Sequence, residues 1–263
     1  MTNKSTKLTN YQNGIFRITL SKPQVHNAFD QQLISELLQL LHDLDQDKTV
    51  RVLILDAEGQ SYSAGADLNW MKKMATYSRD ENYQDSMKLA ELMSTLFEMK
   101  CSTIAAVQGA AYGGGVGLVA CCDIAISSDQ ASFCLSEVKL GLIPAVISPY
   151  VVKAIGQRAA KRYFMTAERF DANQATQLGL ISETVARDKL DDRVMSIAER
   201  IIANGPTAVV KAKQLIHEVD GEPIDPGLQH RTAERIADTR ASNEGREGVN
   251  AFLEKRSANW KSE

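Results

Sequence analysis

Residues 50–57 read VRVLILDA, and within them Val52, Leu53, Ile54 and Leu55 follow one another with no polar interruption. A strand with one wet face alternates apolar and polar residues. A continuous β-branched and leucine run fits a strand covered on both faces, the situation of a parallel sheet lying between other layers. Parallel neighbours need crossover connections, usually helices, so this run constrains the fold more than any other segment. The chain supplies the expected partners. GIFRITL (14–20) alternates Ile15, Arg17 and Thr19 with Phe16, Ile18 and Leu20, the period of a half-buried strand. Asp30 then introduces QQLISELLQLLHDLDQD, where Leu33, Leu37, Leu40, Leu41 and Leu44 recur at helical spacing while Gln31, Glu36 and Asp43 stay outside. The polar GQSYSAGADL reads as a loop, residues 80–99 as a second helix, and STIAAVQG, DIAISS (123–128), SFCLSEV (132–138) and LISETV (180–185) as further strands. This order predicts an α/β fold. From about residue 187 strand signals stop, and amphipathic helices fill the rest between the breakers Asn204-Gly205-Pro206 and Gly221-Glu222-Pro223. Such a tail either packs on its own core or supplies an oligomer interface.

The 263 residues carry a formal net charge of −3, which gives no global basic field to draw the chain to phosphate backbones or anionic membranes. A nucleic-acid role would need a local patch. The opening MTNKSTKLTNYQNG is polar and lacks the apolar core of a secretory signal, and no stretch reaches the ~20 apolar residues of a membrane span. A cytoplasmic location without membrane insertion is the expectation. Cys101, Cys121, Cys122 and Cys134 sit in apolar segments without paired metal-finger spacing, so they are expected to be reduced core thiols, with no metal site. There is no G-x-S-x-G elbow and no H-E-x-x-H, and His26, His42, His217 and His230 lie in unrelated contexts. His42 and His217 look like helix-surface residues.

Two glycine-bearing loops follow strands: SAGADL (63–68) and AYGGGVG (111–117). Consecutive glycines let a ligand approach the main chain, and the next residues, VGLVACCD, read as a buried helix whose N-terminus would face the same place. Together the loops can form an anion or oxyanion site; alternatively, Gly113–Gly115 only make a tight turn. Gly113, Gly115 and Gly117 are spaced wrongly for G-x-G-x-x-G, and no Walker lysine follows, which demotes nucleotide binding. Glu137 lies in the otherwise apolar ASFCLSEVKLGLIPA, and if the strand extends that far its parity matches Phe133 and Leu135. Burial would raise its pKa towards neutrality, suiting a group that accepts and returns a proton. The competing reading is an ion pair with Lys139 or a remote arginine.

SAGADL, then QGAAYGGGVGLVACCDIAISS, then FCLSEVKLGLIP: in this order the sequence resembles the enoyl-CoA hydratase/isomerase (crotonase) family, and the resemblance runs from KPQVHNAFD (22–30) to AFLEKRSANW (251–260). It implies a core spiral of ββα turns (1–195), a C-terminal helical trimerisation region (196–263), and commonly a hexamer of two trimers. It implies that Ala66 and Gly114 donate two backbone N–H groups to a thioester carbonyl and that Glu137 moves protons. It further implies that Val25, His26, Ala64, Asp67 and Leu68 line the CoA arm, and that Phe252 and Lys255 lie where a neighbouring subunit's tail reaches the CoA. Lys255 either meets a CoA phosphate or is a solvated helix charge. No separate cofactor is implied, since coenzyme A is part of the substrate.

Hydratases of this family usually carry two glutamates, and where the first is expected this chain has Gly117. Two chemistries stay open: addition of water to a 2-enoyl thioester, and a Δ3,Δ2-isomerisation that shuttles one proton. Within the family, GGGVGLVACCDIAI and FCLSEVKLGLIPAVISPYVVKAIG resemble bacterial 3-methylglutaconyl-CoA and isohexenylglutaconyl-CoA hydratases, the former of leucine degradation. Loss of a carboxylate at Gly117 is expected to remove a like charge and make room for an acidic acyl group. From other classes, RNA binding is disfavoured because the first helix carries acids and no lysine, and an inactive acyl-CoA-binding scaffold is countered by the retained Glu137.

Overall fold

The computed structural model describes residues 4–260, so the outermost residues of the two expected domains, 1–3 and 261–263, lie outside the described residues. The strands are β1 (Thr6–Asn10), β2 (Ile15–Leu20), β3 (Val52–Ala57), β4 (Ser61–Ser63), β5 (Ser102–Val107), β6 (Ala110–Tyr112), β7 (Ile124–Ser128), β8 (Ser132–Cys134), β9 (Phe170–Asp171) and β10 (Glu183–Val185). The helices are α1 (Gln31–Gln46), α2 (Leu68–Met74), α3 (Arg79–Phe97), α4 (Gly114–Cys121), α5 (Ser148–Thr166), α6 (Ala172–Leu178), α7 (Leu190–Ile202), α8 (Pro206–Val219), α9 (Pro226–Ala241) and α10 (Asn243–Leu253).

One sheet runs β1-β2-β3-β5-β7-β10 and the other β4-β6-β8-β9. In the first sheet only β1 is antiparallel to its neighbour; β2, β3, β5, β7 and β10 pair in parallel. The chain steps from β3 to β4, from β5 to β6 and from β7 to β8, each time passing from one sheet to the other before entering helix. The expected ββα turns are therefore present.

The continuous run of β3 is explained by what lies on each side of it. Leu53 and Leu55 join Phe16, Ile18 and Leu20 of β2 and the buried Leu33, Leu37, Leu41 and Leu44 of α1 in the main core. Val52 and Ile54 face the other way, against Ile15, Ile104 and Ile126 and against Leu190, Val194 and Ala198 of α7. Asp30 begins α1 as expected: its Oδ1 accepts the Leu33 N–H at 2.8 Å, satisfying a donor that the helix itself cannot pair.

Four sequence expectations need correction. Ser61–Ser63 is a buried strand within what reads as a loop, since two serines hide a three-residue period-two pattern around Tyr62. The strand expected over 132–138 stops at Cys134, and that over 180–185 starts at Glu183. Helix α2, seven residues long, is too short to show a helical period. The expected domain boundary at 195/196 lies within α7, between its buried Val194 and Ala198. Cys101, Cys121 and Cys134 are buried free thiols, while Cys122 is only partly covered. Among the described residues no helix is long and apolar enough to cross a membrane.

Candidate active site

Beyond β4 the chain lies along residues 26–29 and is pinned to them. The Ala64 N–H donates to the His26 carbonyl (2.9 Å), Phe29 N–H to the Gly65 carbonyl (2.7 Å) and Asp67 N–H to the Phe29 carbonyl (2.8 Å). Gly65 adopts φ +89°, a left-handed conformation that favours glycine. Between these bonds, the Ala66 N–H has no acceptor among the described residues. Asp67 spends its carboxylate on α2, whose Asn69 and Trp70 N–H groups donate to Oδ1 at 2.8 and 3.1 Å.

The second loop presents an equivalent group. Gly113, at φ +51°, donates its N–H to the Cys134 carbonyl (2.9 Å), and its own carbonyl accepts from Val116 and Gly117. Gly114 is the first residue of α4, so its N–H precedes the helical ladder, and it has no acceptor among the described residues. The absent side chains matter: a Cβ at Gly113 would stand 3.2 Å from Glu137 Oε1, and one at Gly114 3.2 Å from the Phe29 ring. The triple glycine is thus more than a tight turn; it brings main chain against the glutamate.

Glu137 is not on a strand, so its parity with Phe133 and Leu135 does not place it. It is the first residue of a 3₁₀ turn, Glu137–Leu140, closed by Gly141 at φ +71°, and its carbonyl accepts the Leu142 N–H at 3.1 Å. Its Oε2 is buried without a hydrogen-bond partner among the described residues, and no ion pair to Lys139 or an arginine forms there. Burial pushes the Glu137 carboxyl above the usual carboxylate range, opposed by a backbone hydrogen bond.

Ala64, Ala66, Leu68, Gly113, Gly114 and Glu137 all line one cavity of about 480 Å³. Its remaining wall is mainly apolar, built from Phe29, Trp70, Met74, Leu89 and Ile147 among others. The acids in this lining are Glu137 and Asp85, and it contains no lysine, arginine or histidine among the described residues. Val25 and Asp67 border a second cavity with Lys22 and Lys73, which shares Trp70 with the first. His26 lines neither; at φ +54° it offers its carbonyl to Ala64, and its Nδ1 lies 3.0 Å from Ser61 Oγ. Phe252, 82% exposed on α10, and the exposed Lys255 also line neither. Asp85, Trp70 and Ile147 escape sequence reasoning: Asp85 sits in the polar run RDENYQDSMK, where nothing marks it as buried.

Gly117 does not make room. It is buried in α4, and a Cβ built there would lie 2.3 Å from Ile147 Cγ2, 3.0 Å from Ile147 Cβ and 3.2 Å from Met93 Cε. The place of a side chain at 117 is filled by an isoleucine that also lines the cavity, so space is exchanged for hydrocarbon rather than gained.

The enoyl-CoA hydratase/isomerase family model matches residues 10–263. The chain belongs to the enoyl-CoA hydratase/isomerase family. A solved enoyl-CoA hydratase from Shewanella pealeana is 46% identical, with a TM-score of 0.93 and coverage of 97% of this chain and 96% of that one. The mitochondrial enoyl-CoA hydratase of Pongo abelii is 31% identical over 256 residues, 95% of this chain and 84% of its own length. The 2,3-dehydroadipyl-CoA hydratase of Escherichia coli K12 is 28% identical over 261 residues, 98% of this chain and 99% of its own length. The α/β architecture is that of crotonase-like structures in this family.

Proposed function

We propose that the chain is an enoyl-CoA hydratase that works with one carboxylate. The observation that carries this reading is the convergence, on one apolar cavity, of an unpartnered Glu137 carboxyl with the uncommitted N–H groups of Ala66 and Gly114. With the thioester carbonyl at those two donors, attack at C3 sends an electron pair to the carbonyl oxygen. Fixed dipoles then favour the enolate over the ground state. Glu137, ionised, removes a proton from the attacking water and returns it to C2, regenerating the carboxylate. Coenzyme A enters as part of the substrate, with Val25, Ala64, Asp67 and Leu68 beside its arm and His26 supporting the loop through its carbonyl.

Isomerisation is the second reading, favoured by Ile147. Hydrocarbon stands where a second acid would hold water, and the same glutamate can move a proton from C2 to C4 of a 3-enoyl chain. For the acyl group, an E. coli relative is named for a dicarboxylic thioester. In this chain a second substrate carboxylate, such as that of 3-methylglutaconyl-CoA, would meet no cation in the described lining and would meet Asp85. An acyl group without a second carboxylate suits the cavity better. Exposed Phe252, Leu253 and Val249 on α10 suit burial against another copy, which supports self-association with Phe252 and Lys255 serving a neighbour's CoA. The test is kcat/KM for crotonyl-CoA, 3-methylglutaconyl-CoA and a 3-enoyl-CoA. Hydration of the neutral substrate supports the proposal; efficient isomerisation without hydration replaces it with the second reading, and a preference for the glutaconyl ester overturns the choice of acyl group.

A further inference from the structure

Asp85 is a buried acid that the proposed chemistry does not use. It lies in α3, 7% exposed, and lines the same cavity as Glu137. One of its oxygens is occupied: Oδ1 accepts from Gln31 Nε2 of α1 at 2.9 Å and from Trp70 Nε1 of α2 at 3.4 Å. These two bonds hold the carboxyl group between three helices and fix its orientation. The other oxygen, Oδ2, has no partner among the described residues, yet it is not sealed from solvent. Asp85 borders two cavities, the one it shares with Glu137 and an outer one lined also by Gln31, Tyr77, Glu81 and Lys88, and Oδ2 is taken to open on the first.

An acceptor held this way penalises a plain hydrocarbon chain, which would strip Oδ2 of water and return nothing. It rewards a group that donates a hydrogen bond. Sites built to bond a substrate hydroxyl or amine reject the analogue lacking it far more strongly than apolar pockets sort chains by size. We infer that Asp85 is a specificity-determining residue that selects acyl groups bearing a hydrogen-bond donor, a hydroxyl or an ammonium, on the part of the chain remote from the thioester. This rests on the assignment of the cavity to the acyl chain of an enoyl thioester.

Asp85→Asn provides a clean test. The amide keeps an oxygen to accept from Gln31 and Trp70, while its NH₂ turns the cavity-facing acceptor into a donor. We would measure kcat/KM of both proteins with 2-enoyl-CoA esters of one chain length ending in methyl, hydroxyl, ammonium or carboxylate. The wild type is expected to favour the hydroxyl or ammonium ester over the methyl ester by roughly 10- to 100-fold, the scale of a hydrogen bond to a charged group. Asparagine should remove the ammonium ester's advantage and shrink the hydroxyl ester's, since its NH₂ can donate to a hydroxyl but not to an ammonium. The methyl ester's turnover should stay near its wild-type value. A greater preference for ammonium than for hydroxyl assigns a cationic acyl group, and the reverse a neutral one. Equal ratios in both proteins, or a uniform loss across all esters, would mean that Asp85 only ties helices together and would overturn the inference. If the wild type processes the methyl ester but shows no preference, the inference fails and the hydratase proposal stands; if it processes none, both fail.

Discussion

Adding one methyl group at position 117 probes the most consequential departure of this chain. Gly117→Ala places a carbon 2.3 Å from Ile147 Cγ2, about 1.2 Å inside the ~3.5 Å at which carbons attract. Met93 can swing its thioether end away, but Ile147 is β-branched, 3% exposed and packed at the head of α5. Overpacking of this kind costs about 1–3 kcal/mol, set against about 1 kcal/mol gained when alanine replaces glycine in a helix. The net expectation is a loss of up to about 2 kcal/mol in urea unfolding. Ile147→Ala alone should cost about 2–5 kcal/mol through the cavity it leaves. The double variant should be more stable than the sum predicts, by at least ~1 kcal/mol, because each change relieves the other. The same pair decides whether a second acid can be installed: Gly117→Glu should fold poorly alone and better with Ile147→Ala. A Gly117→Ala protein as stable as wild type, with no coupling to residue 147, would refute the claim that Ile147 occupies this place.

Glu137→Gln should retain CoA-ester binding by calorimetry while turnover falls at least ~100-fold, the usual scale of lost acid–base catalysis. Because burial raises the Glu137 pKa, the ionised base appears only as pH rises through that raised value, so the acidic limb of kcat/KM should lie above the ordinary carboxylate range. The same shift makes the ionised form a burden on the fold: Glu137→Gln should match wild-type melting at pH 3, where the acid is protonated folded and unfolded, and exceed it at pH 8. Ala66→Pro removes a free donor and should cost about 3 kcal/mol of transition-state stabilisation with circular dichroism unchanged; a folded, fully active variant would remove Ala66 from the oxyanion site. Phe252→Asp should shift the sedimentation profile towards smaller species, and Lys255→Ala should raise KM for CoA esters but not for pantetheine esters.

The architecture was readable because β3 announces its two covered faces and α1 its single one: Leu53 and Leu55 on one side and Val52 and Ile54 on the other leave little choice of neighbours. The two glycine loops stand out because Gly65 and Gly113 hold backbone conformations that few other residues accept. What stayed hidden depends on contacts between distant segments. Asp85 looks like any polar helix residue until Gln31, 54 positions away, and Trp70 close around it. Gly117 suggested open space because a sequence shows the missing side chain and not the isoleucine, thirty residues on, that fills it. Glu137 stands out in the sequence as an acid in apolar company, and the structure buries it, though in a 3₁₀ turn rather than on a strand.

The order of strands also fixes an order of events during synthesis. β7 gains its outer neighbour only when Glu183–Val185 has been made, some fifty residues after β7 itself. A growing chain therefore carries an open, apolar sheet edge for several seconds at ordinary elongation rates of about 5–20 residues per second. Once residue 147 has been made, every residue that lines the Glu137 cavity is present while the six-stranded sheet still lacks β10. Nascent chains arrested between residues 130 and 180 are the ones that should depend most on chaperones, and full-length protein released from that stage should depend on them least.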